Sequence, residues 1–117
     1  MRRVDCAFLP PRDVTMSNVL TVVASIRAAK NKGDALARLL TEQAAVVLRE
    51  EPGCLVYRAH RSATDPEAFL FYEVYESEAA LEAHRKAAHL AAFRERREKE
   101  ALVEGAVDVH VYRSITP

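Results

Sequence analysis

Residues 68–75, Ala-Phe-Leu-Phe-Tyr-Glu-Val-Tyr, put large apolar side chains on both sides of an extended chain. The segment is aromatic and contains no breaker, so it reads as a strand. Successive side chains of a strand point to opposite faces. Phe69, Phe71, Glu73 and Tyr75 therefore share one face, and Leu70, Tyr72 and Val74 share the other. A sheet with one solvated face alternates cleanly between apolar and polar residues. This strand does not, so its sheet needs cover on both sides. Residues 19–28, VLTVVASIRA, make the same demand: they are rich in β-branched types, lack Gly and Pro, and set Val23 against Leu20, Val22, Ala24 and Ile26.

The rest of the chain falls into order around these two strands. Lys30 to Gly33 read as a turn, and Asp34 is placed to cap a helix in which Leu36, Leu39, Leu40, Gln43, Val47 and Leu48 recur at helical spacing. Pro52-Gly53 cannot continue that helix, so it ends at Glu50-Glu51. Residues 54–61, CLVYRAHR, form another strand, and Asp65-Pro66 marks the turn before residues 68–75. Ser77 is a good N-cap with Glu78 in the first turn, and a second helix runs from Ala79 to about Leu102. Gly105 ends it, and residues 107–115 form the last strand. The order β-α-β-β-α-β is the split-βαβ or ferredoxin-like arrangement. It predicts an α+β fold, with a four-stranded antiparallel sheet and both helices on one face. Two helices leave the other apolar face bare, and a second copy of the chain is the simplest cover, so a homodimer is expected.

A chain of 117 residues makes one domain. Its 50% hydrophobic and 29% charged content suits a packed globule. Residues 1–17, interrupted by Pro10-Pro11 and kept polar by Arg12-Asp13, read as a loose leader before a folded domain at 18–115. The alternative docks Cys6-Ala7-Phe8-Leu9 as an extra edge segment. Lys plus Arg and Asp plus Glu both number 17, and the pI is near 6.9, which argues against a nucleic-acid partner. No apolar run approaches the roughly 18 residues that span a bilayer. Nor does an apolar stretch of about 7 residues or more follow Met1-Arg2-Arg3, as a signal peptide requires. Cys6 and Cys54 make neither a disulfide framework nor a metal cluster. The reading is a reduced, cytoplasmic protein without membrane partners. The run from Arg94 to Glu100 alternates in sign, with Arg94/Glu98, Glu95/Lys99 and Arg96/Glu100 at i,i+4, and reads as a solvated helix face.

Nucleotide, flavin, zinc-protease and serine-hydrolase signatures such as GxGxxG, GxxxxGK[ST], HExxH and GxSxG are absent, as is CxxC. Attention falls on the histidines. Leu81, His84 and Ala88 follow i, i+3, i+7 spacing, so His84 points at the sheet. The sheet offers it either Glu73 and Tyr75 or Tyr72, depending on register. A His, a Glu and Tyr hydroxyls in an apolar cleft resemble a small-molecule site; the plain alternative is a core His bonded to a carbonyl or a Tyr. His89 lies about 140° further round a regular helix, so it reaches the same cleft only if the helix breaks. The pair makes a poor metal site, since helical ligands prefer i,i+3 or i,i+4 and no third ligand is evident. His60 and His110 read as exposed or structural, and Cys54 as a small buried hydrophobe.

Glu51-Pro52-Gly53-Cys54-Leu55-x-Tyr57-Arg58, then Phe71-Tyr72-Glu73-Val74-Tyr75-Glu76-Ser77-x-x-Ala80-Leu81-x-x-His84, then His89 and Phe93, resembles the antibiotic biosynthesis monooxygenase family, which includes quinol monooxygenases and a phosphorylated autoinducer-2 branch. The resemblance spans residues 18–115. It implies a dimeric α+β barrel, a pocket between sheet and helices, and a working His at position 84. The family's match to His89 usually follows a Ser-Pro or Thr-Pro step that breaks the helix, where this chain has Ala87-Ala88. The haem-degrading branch is similar in fold only: it uses an Asn on the first strand, where this chain offers Ser25 or Ile26, so haem is not expected.

The resemblance implies a cofactor-independent monooxygenase acting on a small phenol or quinol. Such a substrate's anion gives an electron to O₂ itself, where oxygen chemistry otherwise needs a flavin or a metal. No cofactor and no metal are expected. The catalytic set is His84 as base, Glu73 orienting it or a water, and Tyr75, or Tyr72, donating to the developing anion. Tyr72, His89, Tyr57, Phe93 and Arg27 are the substrate-binding candidates. An isomerase of a small phosphorylated carbonyl compound would use the same His as a proton shuttle and need a phosphate subsite from Arg27 or Arg58. A small-molecule-binding dimer without catalysis is the remaining class.

Overall fold

The structure, a computed structural model, describes residues 18–116. At its centre, strand β1 (Leu20–Arg27) pairs antiparallel with β3 (Ala68–Tyr75) on one side and with β4 (Asp108–Arg113) on the other. Strand β2 (Cys54–Arg61) pairs with the free edge of β3, giving the order β2-β3-β1-β4. Helices α1 (Gly33–Glu50), α2 (Glu78–Lys86) and α3 (Ala88–Lys99) complete a β-α-β-β-α-α-β chain. This is the ferredoxin-like α+β fold that the strand and helix signals predict.

Register settles the question left by the alternation in residues 68–75. Leu20, Val22, Ala24 and Ile26 stand opposite Tyr75, Glu73, Phe71 and Phe69. All eight are buried, and the apolar ones join Leu36, Leu40 and Val47 of α1 in one core. Fully burying a side chain of this size contributes about 1.5–3 kcal/mol, so this face dominates stability. Tyr72 stands on the opposite face, across from Val23 and Arg58. That outer face also carries Leu70, Val74 and Tyr112, and Tyr72 and Tyr112 keep 42% and 56% of their surface. None of the described helices covers it.

Several boundaries differ from expectation. Helix α1 starts at Gly33 with Lys32 at its N-cap, and Asp34 makes no cap; Asp34 instead accepts from Arg61 Nη1 at 2.9 Å. The expected single helix from Ala79 to Leu102 is two: Ala87 adopts an extended conformation (φ −66°, ψ 137°) between α2 and α3. Helix α3 ends at Lys99, near Ala101 in the left-handed region at φ 52°. Ser77 caps α2 as expected, accepting from Ala80 N–H at 3.1 Å. The leader at 1–17, with its Cys6–Leu9 alternative, lies outside the described residues. Among the described helices none is long and apolar enough to cross a membrane.

Candidate active site

The site is assembled at the end of α1. Glu51 leaves the helix in an extended conformation (φ −119°, ψ 93°), its N–H still bonded to the Val47 carbonyl at 2.9 Å. Pro52-Gly53 then turns the chain against α2. A Cβ on Gly53 would come within 2.6 Å of Ala80 Cβ, so only glycine permits this approach. The turn delivers the Glu51 carboxylate to the α2–α3 break. His84, in the last turn of α2, places Nδ1 at 3.0 and 2.9 Å from the two Glu51 oxygens. His89, just beyond the break, places Nε2 at 2.6 Å from Glu51 Oε2, near enough for an ion pair but not aligned as a hydrogen bond. The break makes this possible: the two rings stand 6.3 Å apart, whereas a continuous helix would splay them.

Proton positions follow from these partners. The Gln43 side-chain N–H can only donate, and it lies 3.1 Å from His89 Nδ1, which must accept. The neutral His89 proton then sits on Nε2, towards Glu51. A neutral His84 donates from Nδ1 to Glu51, so its lone pair is on Nε2, which has no hydrogen bond among the described residues. A carboxylate that fixes a tautomer in this way aims a base.

His84 Nε2 serves a cleft of about 700 Å³ between the helices and the covered face of the sheet. Its walls include Tyr57, Phe71, Glu73, Leu81, Leu90 and Phe93, and Val109 and Val111 of β4 close one side. Burial lowers the proton affinity of His84; the Glu51 hydrogen bond and charge pull the other way but do not overcome it. Burial pushes Glu73 up to about 7, against the hydrogen bond it accepts from Tyr75 Oη–H at 2.8 Å and with the charge of Glu51. Burial, then the charge of Glu73, holds the Tyr57 phenol above its usual range, and its hydroxyl has no partner among the described residues. A cleft with a neutral base, a carboxyl that is half protonated near neutrality and a free phenol can move protons at pH 7.

The expected residues divide into three groups. His84, Glu73, Tyr57 and Phe93 line the cleft. Tyr75 is fully buried beneath it, its hydroxyl bonded to Glu73 and its ring 5.2 Å from that of His84, and His89 stands behind His84 on Glu51, facing a different depression. Tyr72 and Arg27 are not brought to the cleft. Tyr72 faces outward, and Arg27 is exposed at the end of β1, bonded to Asp65. No hydrogen bond joins Glu73 to His84; the carboxylate bonded to His84 is Glu51, which the sequence offers as a helix end and as the first residue of the 51–58 motif, without a role. Gln43 is the one polar residue among the positions that recur at helical spacing in α1, and that spacing alone carries no functional role for it. His60 and His110 are exposed, as expected, with His110 Nε2 3.1 Å from Asp108. Cys54 is buried, and its thiol is pushed up to about 12, first by burial, so it is inert at neutral pH. Among the described residues no group of three or more His, Cys, Asp or Glu is arranged to hold a metal ion.

Among solved structures, the protein PA3566 of Pseudomonas aeruginosa is 34% identical over 87% of this chain and 99% of its own, with a TM-score of 0.74. Rv0793 of Mycobacterium tuberculosis is 27% identical over 85% of this chain and 97% of its own, with a TM-score of 0.73. A Caulobacter crescentus CB15 protein that bears the antibiotic biosynthesis monooxygenase name is 26% identical over 86% and 93%, with a TM-score of 0.77. No protein of curated function matches the chain. The sequence model of the antibiotic biosynthesis monooxygenases matches residues 19–96, a span that holds β1 to β3, α2, most of α3 and the whole Glu51–His84–His89 group. The chain therefore belongs to the antibiotic biosynthesis monooxygenase family.

Proposed function

We propose that the protein is a cofactor-independent monooxygenase that oxidises a small phenol or quinol with O₂. The observation that carries this reading is the pairing of His84 with Glu51: a carboxylate holds Nδ1 and leaves Nε2 of a cleft-lining histidine free of any hydrogen bond among the described residues. His84 Nε2 takes the phenolic proton, and the Tyr57 hydroxyl donates to the oxyanion left behind. The electron-rich anion passes an electron to O₂ and recombines with it, forming a carbon–oxygen bond at the ring. The protonated His84 returns its proton to the peroxide. Glu73 takes the ring C–H proton as the O–O bond breaks and passes it to the departing hydroxide, which leaves as water. A hydroquinone and O₂ give a hydroxyquinone and water; one oxygen atom stays on the ring, and the substrate supplies all four electrons. No external reductant is needed. Two subunits packed through the outer sheet face would complete the assembly.

The test is O₂ uptake with a panel of quinols, native protein beside His84→Ala and Glu51→Gln, with thermal melting on each preparation. His84→Ala should lose about 10² to 10⁴ in rate and melt close to native. Glu51→Gln keeps a hydrogen-bonding group but not the charge. It should lose about tenfold or more, as supporting partners of working histidines do, and shift the acid limb of its pH profile. A His84→Ala protein that melts far lower, yet turns over normally in its folded fraction, would make His84 a core residue and overturn the assignment. So would a panel that consumes no O₂ with native protein.

A further inference from the structure

The charges lining the cleft do not balance. Among the described residues Glu73 is its one acid, against three arginines, Arg85, Arg94 and Arg97. Arg85 reaches Glu82 at 3.5 Å. Arg96, which does not line the cleft, is held by Glu42 at 2.7 Å and Glu100 at 3.0 Å. Arg94 and Arg97 have no carboxylate partner among the described residues. Of the expected i,i+4 pairs in this charge run only Arg96/Glu100 forms; Arg94/Glu98 and Glu95/Lys99 do not. Arg97 is held over the Phe93 ring, 5.4 Å from its centroid, which fixes the guanidinium against the apolar wall. Arg94 and Arg97 are three residues apart on one helix, where like charges repel. The hold of Arg97 on its proton is weakened first by burial and next by Arg94.

An anion between these two guanidinium groups would relieve both costs, and planar forks suit an oxyanion. The position connects to the chemistry. His84 loses proton affinity mainly to burial but also to Arg94, and Arg97 acts on Tyr57 against the larger effect of burial. Both cations are therefore within electrostatic reach of the acid–base groups. We propose that Arg94 and Arg97 form a subsite for an oxyanion, carboxylate or phosphate, carried by the substrate. Its apolar body rests on Phe93, Leu90 and Phe71, and its reacting end meets His84 and Glu73. The last clause rests on the monooxygenase reading; the anion subsite does not.

Binding separates the two. 2-Naphthoate, 2-naphthyl phosphate and the neutral 2-naphthylmethanol are titrated against native protein by ligand fluorescence, at low salt and at about 0.3 M salt, where charge is screened. The anions should bind about tenfold or more tightly than the alcohol at low salt, in line with hydrogen bonds to charged groups, and should lose that advantage as salt rises. The tighter anion identifies the group. Arg94→Gln, Arg97→Gln and the double variant should weaken the anions by about that factor and leave the alcohol unchanged. Arg96→Gln should change neither. Arg94 is exposed, so its variant keeps the fold even if removing Arg97 from Phe93 does not. Equal affinity for alcohol and anions, or undiminished anion binding in Arg94→Gln, Arg97→Gln and the double variant, overturns the subsite. If anions bind as expected and no quinol consumes O₂, the subsite stands and the monooxygenase reading falls. If a neutral quinol turns over at the native rate in Arg94→Gln and in the double variant and anions show no preference, the reverse holds.

Discussion

Glu73 is a carboxyl group set against apolar neighbours and the hydroxyl of Tyr75. Its rise from 4.5 to about 7, caused first by burial, makes it a stability element as well as the proton carrier proposed above. Because its folded value exceeds its unfolded one, the native state between pH 4.5 and 7 holds a proton the unfolded chain has released. Stability from this group is complete below pH 4.5 and is lost as pH rises through 7. At 1.36 kcal/mol per pH unit, the loss totals about 3 kcal/mol. His84 works in the opposite direction: its folded value is lowered below 6.5, so its contribution is present above pH 6.5 and is lost on acidification. Glu73→Gln removes the first slope and keeps the second, and the Gln carbonyl can still accept from Tyr75. The variant should melt with native protein near pH 4 and above it at pH 8, by about 4 °C or more for each kcal/mol recovered. A melting difference that stays flat from pH 4 to 8 would show that burial does not raise Glu73.

At the scale of elements, the turn after α1 decides whether the site exists. Gly53→Ala would drive a Cβ to 2.6 Å from Ala80 Cβ, and neither atom is the end of a flexible chain. The turn must move away from α2 and carry Glu51 with it. Since His84 Nδ1 is already 2.9–3.0 Å from both Glu51 oxygens, a shift of a few tenths of an ångström spoils the bonds. Gly53→Ala should therefore lower activity about as much as Glu51→Gln does; normal activity with undisturbed melting would show that the turn does not position the base. The glycine also marks what sequence could reach. Strands 54–61 and 68–75 and the end of α1 were legible to the residue, because breakers and β-branched runs act locally. The break at Ala87 was not, because alanine is the best helix former and nothing local stops it. The cause is tertiary: Leu81 and His84 anchor one side, Leu90 and Phe93 the other, and all four are buried. The site residues hidden from sequence, Glu51 and Gln43, stand on α1 and its end and gain their role only from the histidines that the break brings to them. Glu51 and His84 are 33 positions apart, so the chain shows no spacing between them.

At the scale of the molecule, the sheet has one face too many. Helices cover Leu20, Val22, Ala24 and Ile26, and nothing among the described residues covers Val23, Leu70, Tyr72, Val74 and Tyr112. The pairing register sets Val23 between Tyr72 and His110, and Thr21 between Val74 and Tyr112, so the apolar side chains form one patch across three strands. Arg58 and His60 on β2 supply a polar margin beside Tyr72 and Leu70. Soluble monomers seldom expose contiguous apolar patches beyond a few hundred Å², and an isologous pairing lets one such patch cover its own copy. A stable pairing buries about 1,200–2,000 Å² in total. Light scattering at micromolar concentration should therefore give twice the 13.1 kDa chain mass. Tyr72→Asp with Tyr112→Asp puts two charges on each copy of that surface. A buried unpaired carboxylate costs several kcal/mol, so the double variant should dissociate and keep a folded core, because both side chains are exposed and stand on the face away from it. Its melting temperature should then rise less with protein concentration than that of native protein. A native mass of 13.1 kDa, or a double variant that stays paired, would mean that the outer face is not where two copies meet.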